Sequence, residues 1–301
     1  MALISVTKTG PDETGSFEFH WSGKHLDAHM LTDVGSKRTR NEDGCILCAP
    51  EDESIAMERG CLFAVADGMG GVSGGEFASR LALQTLVEEY FARPSDSITD
   101  RLRESIEQAN RRIQEEAENH PEYYGMGTTV SALLVHGDTG YIAQVGDSRV
   151  YLLRNGGPIR QLTEDHSLVA EQVRNGYISE EEARNHSLRN LITRAVGTKD
   201  TVKVDLFSLK LKVGDELLLC SDGLTNVVED NEVTKVLAGN NLQGGARTLI
   251  GRAIEGGAPD NVTVVLVQVT QAPHKTSVDS GAVTLSGGGS GIFGRLKEMF
   301  S

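Results

Sequence analysis

Hydrophobic and polar residues alternate along the first part of this chain in blocks that predict strands before helices. Apolar runs with the length of strands occupy Leu26–Asp33, Gly44–Ala49 and Leu62–Ala66. Apolar residues then recur at spacings of three and four in Glu76–Phe91 and Ser97–Asn119, and predict two long helices. The helices therefore come after a group of strands instead of alternating with them.

A second block repeats this order. Short strands are predicted, with turn residues between them, at Val130–His136, Tyr141–Val145, Val150–Arg154 and Ile159–Leu162. After a polar insertion, the later elements are strands at Val202–Leu211, Glu216–Cys220 and Asn261–Val269 and helices at Asp230–Leu237 and Leu242–Ile254. Short connections require antiparallel pairing. The grouping favours an α+β fold with helices covering antiparallel sheets.

The pattern covers only the middle of the chain. Residues 1–25 read as an N-terminal extension, residues 26–270 as the folded domain, and residues 271–291 as a flexible linker that ends in the SGGGSG of Ser286–Gly291. Residues 292–301 form a short amphipathic tail whose apolar members share one helical face: Ile292, Phe293, Leu296, Met299 and Phe300. Two interpretations remain open, a tail that docks a partner and a tail that folds back onto its own domain.

Composition restricts the class of protein. The chain has 301 residues, 39% of them hydrophobic, and a formal net charge of -14. Nucleic acid is not expected as a partner, because binding it depends on basic residues that neutralise phosphates. We see no signal peptide and no apolar run of roughly 18 residues that would span a membrane, so the sequence predicts a cytoplasmic protein.

The four cysteines point away from two kinds of site. A domain of this size does not use so few cysteines as a disulfide framework, and the Cys45-x-x-Cys48 pair lacks the second pair of a zinc site. No cysteine is followed by an arginine six residues later. A cysteine-dependent phosphatase is therefore disfavoured, because its phosphate-binding loop needs that arginine.

Four aspartates stand at the ends of predicted strands. Asp67 ends the run Leu62–Ala66 and leads into the glycines of Gly68–Gly71, Asp147 and Asp222 follow two later strands, and Asp260 precedes the last one. Two like charges about 4 Å apart repel by about 4 kcal/mol at an effective dielectric near 20, so converging carboxylates need cations. Oxygen ligands favour magnesium, manganese or calcium over zinc or copper. The alternative is that each Asp-Gly pair is an ordinary turn.

The most densely charged stretch beside an apolar run is Gly35–Asp43. It holds Arg38 just before Glu42 and Asp43. One interpretation is a solvated loop. The other is that the guanidinium of Arg38 binds two phosphoryl oxygens while the neighbouring carboxylates orient water bound to a metal.

Six short motifs occur in the order seen in one enzyme family. They are Arg38…Asn41-Glu42-Asp43, Asp67-Gly68-Met69-Gly70-Gly71, Gly127-Thr128-Thr129, Val145-Gly146-Asp147-Ser148-Arg149, Ser221-Asp222-Gly223-Leu224 and Asp260-Asn261-Val262-Thr263. Over Leu26–Val269 the chain resembles the metal-dependent serine/threonine protein phosphatases of the type 2C family, in its bacterial form. The resemblance implies a four-layer α-β-β-α sandwich, with two antiparallel sheets flanked by helices.

The resemblance also implies a set of metal ligands. Asp67 would bridge two divalent ions, Mg²⁺ or Mn²⁺, with the carbonyl of Gly68 on one ion and Asp222 and Asp260 on the other. Asp147 would join Asp222 at a weaker third-metal site. A water shared by two such ions would attack phosphorus directly, without a covalent intermediate on the protein.

Further residues take supporting roles by the same resemblance. Glu42, Asp43 and Asn261 would act around the metals, the two acids mainly through bound water, and Arg38 matches the phosphate-binding arginine. Many eukaryotic members carry a histidine, assigned as the general acid, where this chain has Met69, which cannot donate a proton. Two replacements remain open, metal-bound water and His166.

His166 belongs to the polar insertion Thr163–Asn190. This insertion is either a flap that faces the substrate or a plain surface excursion.

The expected activity is metal-dependent hydrolysis of phosphoserine and phosphothreonine on proteins. Expected partners are phosphorylated proteins, which are products of serine/threonine kinases, and the kinase itself. The alternative on the same fold is a catalytically silent module that binds phosphoproteins. A two-metal nuclease fits poorly with the acidic charge. A structural calcium-binding protein would need its ligands packed into one loop.

Overall fold

A computed structural model of the chain describes residues 5–11, 15–70, 74–93, 97–272, 274–277, 279 and 281–285. The strands are β1 Ser5–Gly10, β2 Phe17–Ser22, β3 Leu26–Asp33, β4 Asp43–Pro50, β5 Cys61–Met69, β6 Gly127–Thr128, β7 Val130–His136, β8 Thr139–Val145, β9 Arg149–Leu153, β10 Arg160–Gln161, β11 Asp205–Lys210, β12 Glu216–Cys220, β13 Val262–Val269 and β14 Val283–Leu285. The helices are α1 Glu53–Arg59, α2 Gly74–Ala92, α3 Ile98–Asn119, α4 Leu168–Arg174, α5 Glu180–Arg184, α6 Asp222–Thr225, α7 Asp230–Gly239 and α8 Leu242–Glu255, with a 3₁₀ turn at Pro121–Tyr123.

The strands form two sheets. The first has the order β1-β4-β5-β7-β8-β11-β14, with β6 paired to β5, and the second has the order β10-β9-β12-β13-β3-β2. Every pair is antiparallel except β11 with β14, which run parallel. The α+β fold and the sandwich are confirmed, and the first sheet is mixed at its β14 edge.

Three apolar layers separate four layers of structure. On β4, Ile46 and Cys48 pack against α2 and α3, whereas Cys45 and Leu47 pack between the two sheets. This alternation follows from the two-residue period of a strand. A third layer lies between the second sheet and α6, α7 and α8, and includes Leu218. The strands of the central layers are therefore buried on both faces, which explains their nearly continuous apolar runs.

The connection from β8 to β9 crosses from one sheet to the other. β8 pairs with β7 and β11, whereas β9 pairs with β10 and β12. Gly146 in this connection has φ 106°, and a Cβ there would lie 2.5 Å from the Cβ of Thr129. The expectation that such a short connection pairs its two strands is wrong here, because the glycine turns the chain out of the sheet. The turn carries Asp147 to the edge where both sheets end.

The predicted N-terminal extension contributes an edge strand to each sheet. β1 pairs with β4 from Ser5 to Gly10, and β2 pairs with β3 from Phe17 to Ser22. Between β4 and β5 lies α1, whose N-cap Asp52 accepts hydrogen bonds from the backbone N–H groups of Ser54 and Ile55. The sheets therefore begin well before the predicted boundary at residue 26.

The predicted linker is also in contact with the domain as far as the structure describes it. Asp279 accepts a hydrogen bond from the Ser97 hydroxyl at 2.9 Å, beside the start of α3, and its backbone N–H donates to the Tyr141 hydroxyl at 3.0 Å. β14 then pairs with β11. The amphipathic tail at residues 292–301 lies outside the described residues. None of the helices in the described ranges combines the length and the apolar character that a membrane span requires.

Candidate active site

Asp67 lies near the end of β5, directly across from Asp43 on β4. Its backbone N–H donates to the Thr129 hydroxyl at 2.8 Å, and its carbonyl accepts from the Thr128 hydroxyl at 2.9 Å. Opposed residues of an antiparallel pair have Cβ atoms about 5 Å apart, so two carboxylates here repel each other. Burial, followed by the charge of Asp43, raises the pKa of Asp67 well above its ordinary value.

Asp43 links the two sheets. Its Oδ2 accepts hydrogen bonds from the Ser221 hydroxyl at 2.6 Å and the Thr263 hydroxyl at 2.7 Å, on the second sheet. Burial raises the pKa of Asp43 to about 7, although these two hydrogen bonds favour the charged form. Because Ser221 directly precedes Asp222, the link brings the carboxylates of both sheets together at one edge.

Asp222 and Asp147 complete the acidic cluster. Asp222 begins α6 and accepts a hydrogen bond from Asn226 at 2.9 Å. The side chain of Asp147 is buried, and its Oδ1 has no hydrogen-bond partner among the described residues. Burial raises the pKa of both groups. The charge of Asp260 raises the pKa of Asp222 further, and the charge of Asp222 does the same for Asp147.

Asn261 fixes the loop that joins β3 to β4. It is buried, its amide N–H groups donate to the carbonyls of Val34 and Arg40 at 2.9 Å each, and its Oδ1 accepts from the Glu42 N–H at 2.8 Å. This side chain therefore uses both amide hydrogens and its oxygen within the protein. The structure gives Asn261 the task of holding the loop that carries Glu42.

Arg38 stands at the solvent side of the cluster. Its guanidinium donates to Oδ2 of Asp260 at 2.8 Å and lies 3.8 Å from Oε2 of Glu42, and its side chain is 47% exposed. Burial opposes its charge, but the charge of Asp260 raises the pKa of Arg38 above its ordinary value. A permanently charged, planar donor group is thus present where the acidic cluster opens to solvent.

Gly68 allows the strand and the start of α2 to meet closely. Its N–H donates to the carbonyl of Glu42 at 3.1 Å, and a Cβ at Gly68 would lie 2.0 Å from the carbonyl oxygen of Gly75. No other residue type fits this contact. The last glycine of the motif, Gly71, lies outside the described residues.

The donor set suits hard divalent cations. Carboxylate oxygens of Asp43, Asp67, Asp147 and Asp222 meet at one edge, and burial raises the pKa of each. The buried, unpartnered Oδ1 of Asp147 is an acceptor that a cation would satisfy. Among the described residues no group of three metal-binding side chains is already arranged around one point. The side chains of Arg38 and Asn226 instead occupy carboxylate oxygens that would otherwise be free.

His166 is not placed to donate a proton to a substrate. It is buried, its Nδ1 accepts from the Gly146 N–H at 3.0 Å, and its Nε2 lies 2.9 Å from Oδ2 of Asp205. Arg194 also lies 2.9 Å from Nε2. Both ring nitrogens bind inside the protein, which argues against the hypothesis that His166 acts as the general acid. The ring holds the turn that carries Asp147.

We predict that His166→Ala leaves the shape of the pH-rate profile unchanged. The substitution removes the acceptor of the Gly146 N–H and the partner of Asp205, so unfolding free energy should fall by about 2 kcal/mol. Loss of one limb of the profile would show that His166 exchanges protons with substrate after all. His166→Asn, which keeps one acceptor, is the matched control and should recover part of the stability.

Three hydroxyl residues of the site were not singled out from the sequence. Thr129 holds the Asp67 backbone, and Ser221 and Thr263 bind Asp43. All three belong to the motifs that carry the family resemblance, and this membership was the one indication in the sequence that they belong to the site. Their partners are 62 to 220 residues distant in sequence, so spacing alone did not reveal the contacts.

A cavity of about 560 Å³ lies beside the acidic cluster. Asp147 and Asp222 form one part of its lining, and the insertion with α4 and α5 forms another, through residues such as Val169, Arg174 and Arg189. The insertion thus faces the cavity next to the cluster. Of the two interpretations of this segment, the structure favours the flap.

Comparison with known proteins gives one consistent family. A family profile described as Protein phosphatase 2C matches residues 37–242. The serine/threonine phosphatase stp of Listeria monocytogenes serovar 1/2a is 40% identical over 249 residues, which cover 81% of this chain and 96% of that protein. The match thus includes all the candidate residues from Arg38 to Asp222.

Solved structures agree with the fold. Serine/threonine phosphatase Stp1 from Staphylococcus aureus is similar with a TM-score of 0.76 and 36% identity, covering 83% of this chain and 97% of that one. The catalytic domain of the serine/threonine protein phosphatase PstP, solved in complex with two manganese ions, is similar with a TM-score of 0.71 and 35% identity. That match covers 82% of this chain and 99% of the PstP chain.

Proposed function

The chain belongs to the protein phosphatase 2C family and is a serine/threonine protein phosphatase, and we propose that it uses divalent cations held by its aspartate cluster. The observation that carries this proposal is the opposition of Asp43 and Asp67 on adjacent strands, with Asp222 near enough for its charge to raise the pKa of Asp67 further. Such a cluster is costly without positive charge. The PstP structure with two manganese ions supports cations as the source of that charge.

The residues that would hold the cations are divided between the two sheets. Asp67 and the carbonyl of Gly68 come from β5, Asp222 begins α6 and Asp260 precedes β13. Asp147, with its unpartnered oxygen, would join Asp222 for a third cation. When bound, Mg²⁺ or Mn²⁺ would activate a water as the nucleophile that attacks phosphorus. The cations would also neutralise charge on the phosphoryl group.

Side chains of the protein bind the substrate phosphate and position the acidic residues. Arg38 would bind phosphoryl oxygens through its exposed guanidinium, after exchanging its contact with Asp260 for the substrate. Asn261 keeps the loop of Glu42 in place, and Thr129 fixes the Asp67 backbone. No side chain here forms a covalent bond with phosphorus. Catalysis rests on positioning and charge.

The substrates we propose are phosphoserine and phosphothreonine residues of proteins. The cavity between the flap and the acidic cluster would receive the residues that flank the phosphate. Phosphorylated proteins, and the kinases that produce them, are accordingly the proposed partners. Met69 offers no proton, so the leaving alkoxide takes its proton from solvent water at the site.

The test is release of phosphate from a phosphothreonine peptide. With Mn²⁺ or Mg²⁺ we expect turnover, and excess EDTA should remove it. The matched phosphotyrosine peptide should be hydrolysed far more slowly. Undiminished turnover after exhaustive metal removal would contradict the proposal, and binding of the phosphothreonine peptide without turnover would favour the silent module instead.

A further inference from the structure

A second cavity, of about 600 Å³, opens at the end of the sandwich opposite the acidic cluster. The cluster lies where β4 begins and β5 ends, whereas this cavity is lined where β4 ends, β5 begins and β13 ends. Its walls are mainly apolar, and include Val6, Trp21, Ala49, Leu211 and Val269. We call it the distal cavity. Its volume is in the range of cavities that bind ligands, and nothing in the phosphatase chemistry uses it.

The last described strand, β14, runs toward the end of the sandwich where the distal cavity opens. β14 runs parallel to β11, with Leu285 opposite Leu209. Leu285 packs against the apolar layer between the sheets. Leu211, two residues beyond Leu209 and about 7 Å farther along the chain direction, lines the cavity. The described chain therefore ends at Leu285 with β14 directed toward the end of the sandwich where the distal cavity opens.

The sequence after Leu285 provides a suitable occupant within reach. Ser286–Gly291 consists of serine and glycine, and six such residues span about 13 Å on average. The next ten residues carry an apolar helical stripe, at Ile292, Phe293, Leu296, Met299 and Phe300. Anchors at such spacing are the pattern by which an amphipathic segment enters an apolar groove.

Polar groups at the cavity agree with this occupant. Lys24 and Glu53 line the cavity as an ion pair, and Glu51 adds a further negative charge. The tail carries Arg295 and Lys297 with one acid, Glu298, and so has a net positive charge. Nδ1 of His25, another lining residue, is buried without a hydrogen-bond partner in the described part of the chain. An incoming backbone group would satisfy it.

We propose that residues 292–301 bind in the distal cavity of their own domain, with the aromatic anchors against the apolar walls. This commits to one of the two interpretations left open by the sequence. The binding is intramolecular and leaves the acidic cluster untouched. The proposal does not depend on the catalytic mechanism.

Trp21 provides a direct readout, because it is the one tryptophan of the chain and it lines the cavity. The experiment measures acrylamide quenching of Trp21 fluorescence in the native 301-residue chain and in the double variant Phe293→Asp/Phe300→Asp. The two aspartates should drive the tail out of the cavity. The indole of Trp21 then becomes accessible to acrylamide, and the quenching constant should rise about twofold. Ser286→Asp/Ser290→Asp, with the same added charge outside the apolar stripe, should not change it.

A second variant ends the chain after Leu285. It should show the same rise, and a synthetic peptide of residues 286–301 should reverse it, whereas the peptide with the two aspartates should not. Phosphate release should be equal in all these proteins. Equal quenching in every variant would overturn the proposal. A dependence of quenching on protein concentration would assign the segment to a second copy and also overturn it.

Discussion

Asp67→Asn is expected to lower phosphate release by about 10³-fold, because it removes the carboxylate that opposes Asp43 and whose pKa the other acids of the cluster raise. The same substitution should not weaken the fold. Asp67 opposes Asp43 across adjacent strands, and burial raises its pKa. In excess EDTA the variant should therefore melt at the same temperature as the native chain or a few degrees higher.

The combination of lost activity and retained stability is what identifies a functional cluster. Asp200→Asn removes the same charge from an exposed loop residue and should change neither activity nor melting temperature. If Asp67→Asn instead unfolds the metal-free protein, Asp67 is a structural residue. Activity within tenfold of the native chain would remove Asp67 from the catalytic machinery.

Removal of divalent cations should make the stability of the fold depend on pH between 8.5 and 6.5. Burial raises the pKa of Asp43 to about 7 and that of Asp67 well above its ordinary value. A raised folded-state pKa means that the folded protein binds a proton more tightly than the unfolded chain does. This stabilisation is complete below the unfolded pKa near 4 and is lost as pH rises through the folded value.

The metal-free protein should accordingly melt about 5 °C higher at pH 6.5 than at pH 8.5. Saturating Mn²⁺ should abolish the trend and stabilise the protein most at the higher pH, by about 3 kcal/mol at a concentration a hundredfold above its dissociation constant. Burial lowers the pKa of His29 and His136, which opposes the trend below about pH 6.5.

A variant separates the acidic cluster from other titrating groups. Asp43→Asn should flatten the dependence, because the group with a pKa of about 7 is gone. The variant keeps an acceptor for Ser221 and Thr263. Scanning calorimetry at a series of pH values measures the effect. A metal-free protein that is more stable at pH 8.5 would show that these carboxyls are not raised in pKa.

Long apolar runs and strong helical periods made the central elements predictable from the sequence. The strand limits of Leu26–Asp33 and Glu216–Cys220 are those of the structure, because both strands are buried in the sandwich. β2 was not predicted. It is an edge strand whose residues alternate between half-buried and exposed, and this leaves too weak a pattern over six residues.

The aspartates of the acidic cluster could be predicted from the sequence, but the contacts that hold them in place could not. Aspartates at strand ends were visible in the sequence, and the family resemblance implied that they meet at one metal site. The sheet change at Gly146 depends on a positive φ that sequence does not report. For His166, the residue type suggested proton transfer, whereas the structure gives both ring nitrogens partners inside the protein that the sequence does not reveal.

The most direct test of the central claim is the number of Mn²⁺ ions bound by the metal-stripped protein, measured by equilibrium dialysis. The native chain should bind at least two ions per molecule, as the PstP structure holds two. Asp67→Asn should lose at least one of them, and Asp200→Asn none. If the native chain and Asp67→Asn bind equal numbers of ions with equal affinity, the aspartate cluster is not the metal site and the account is contradicted.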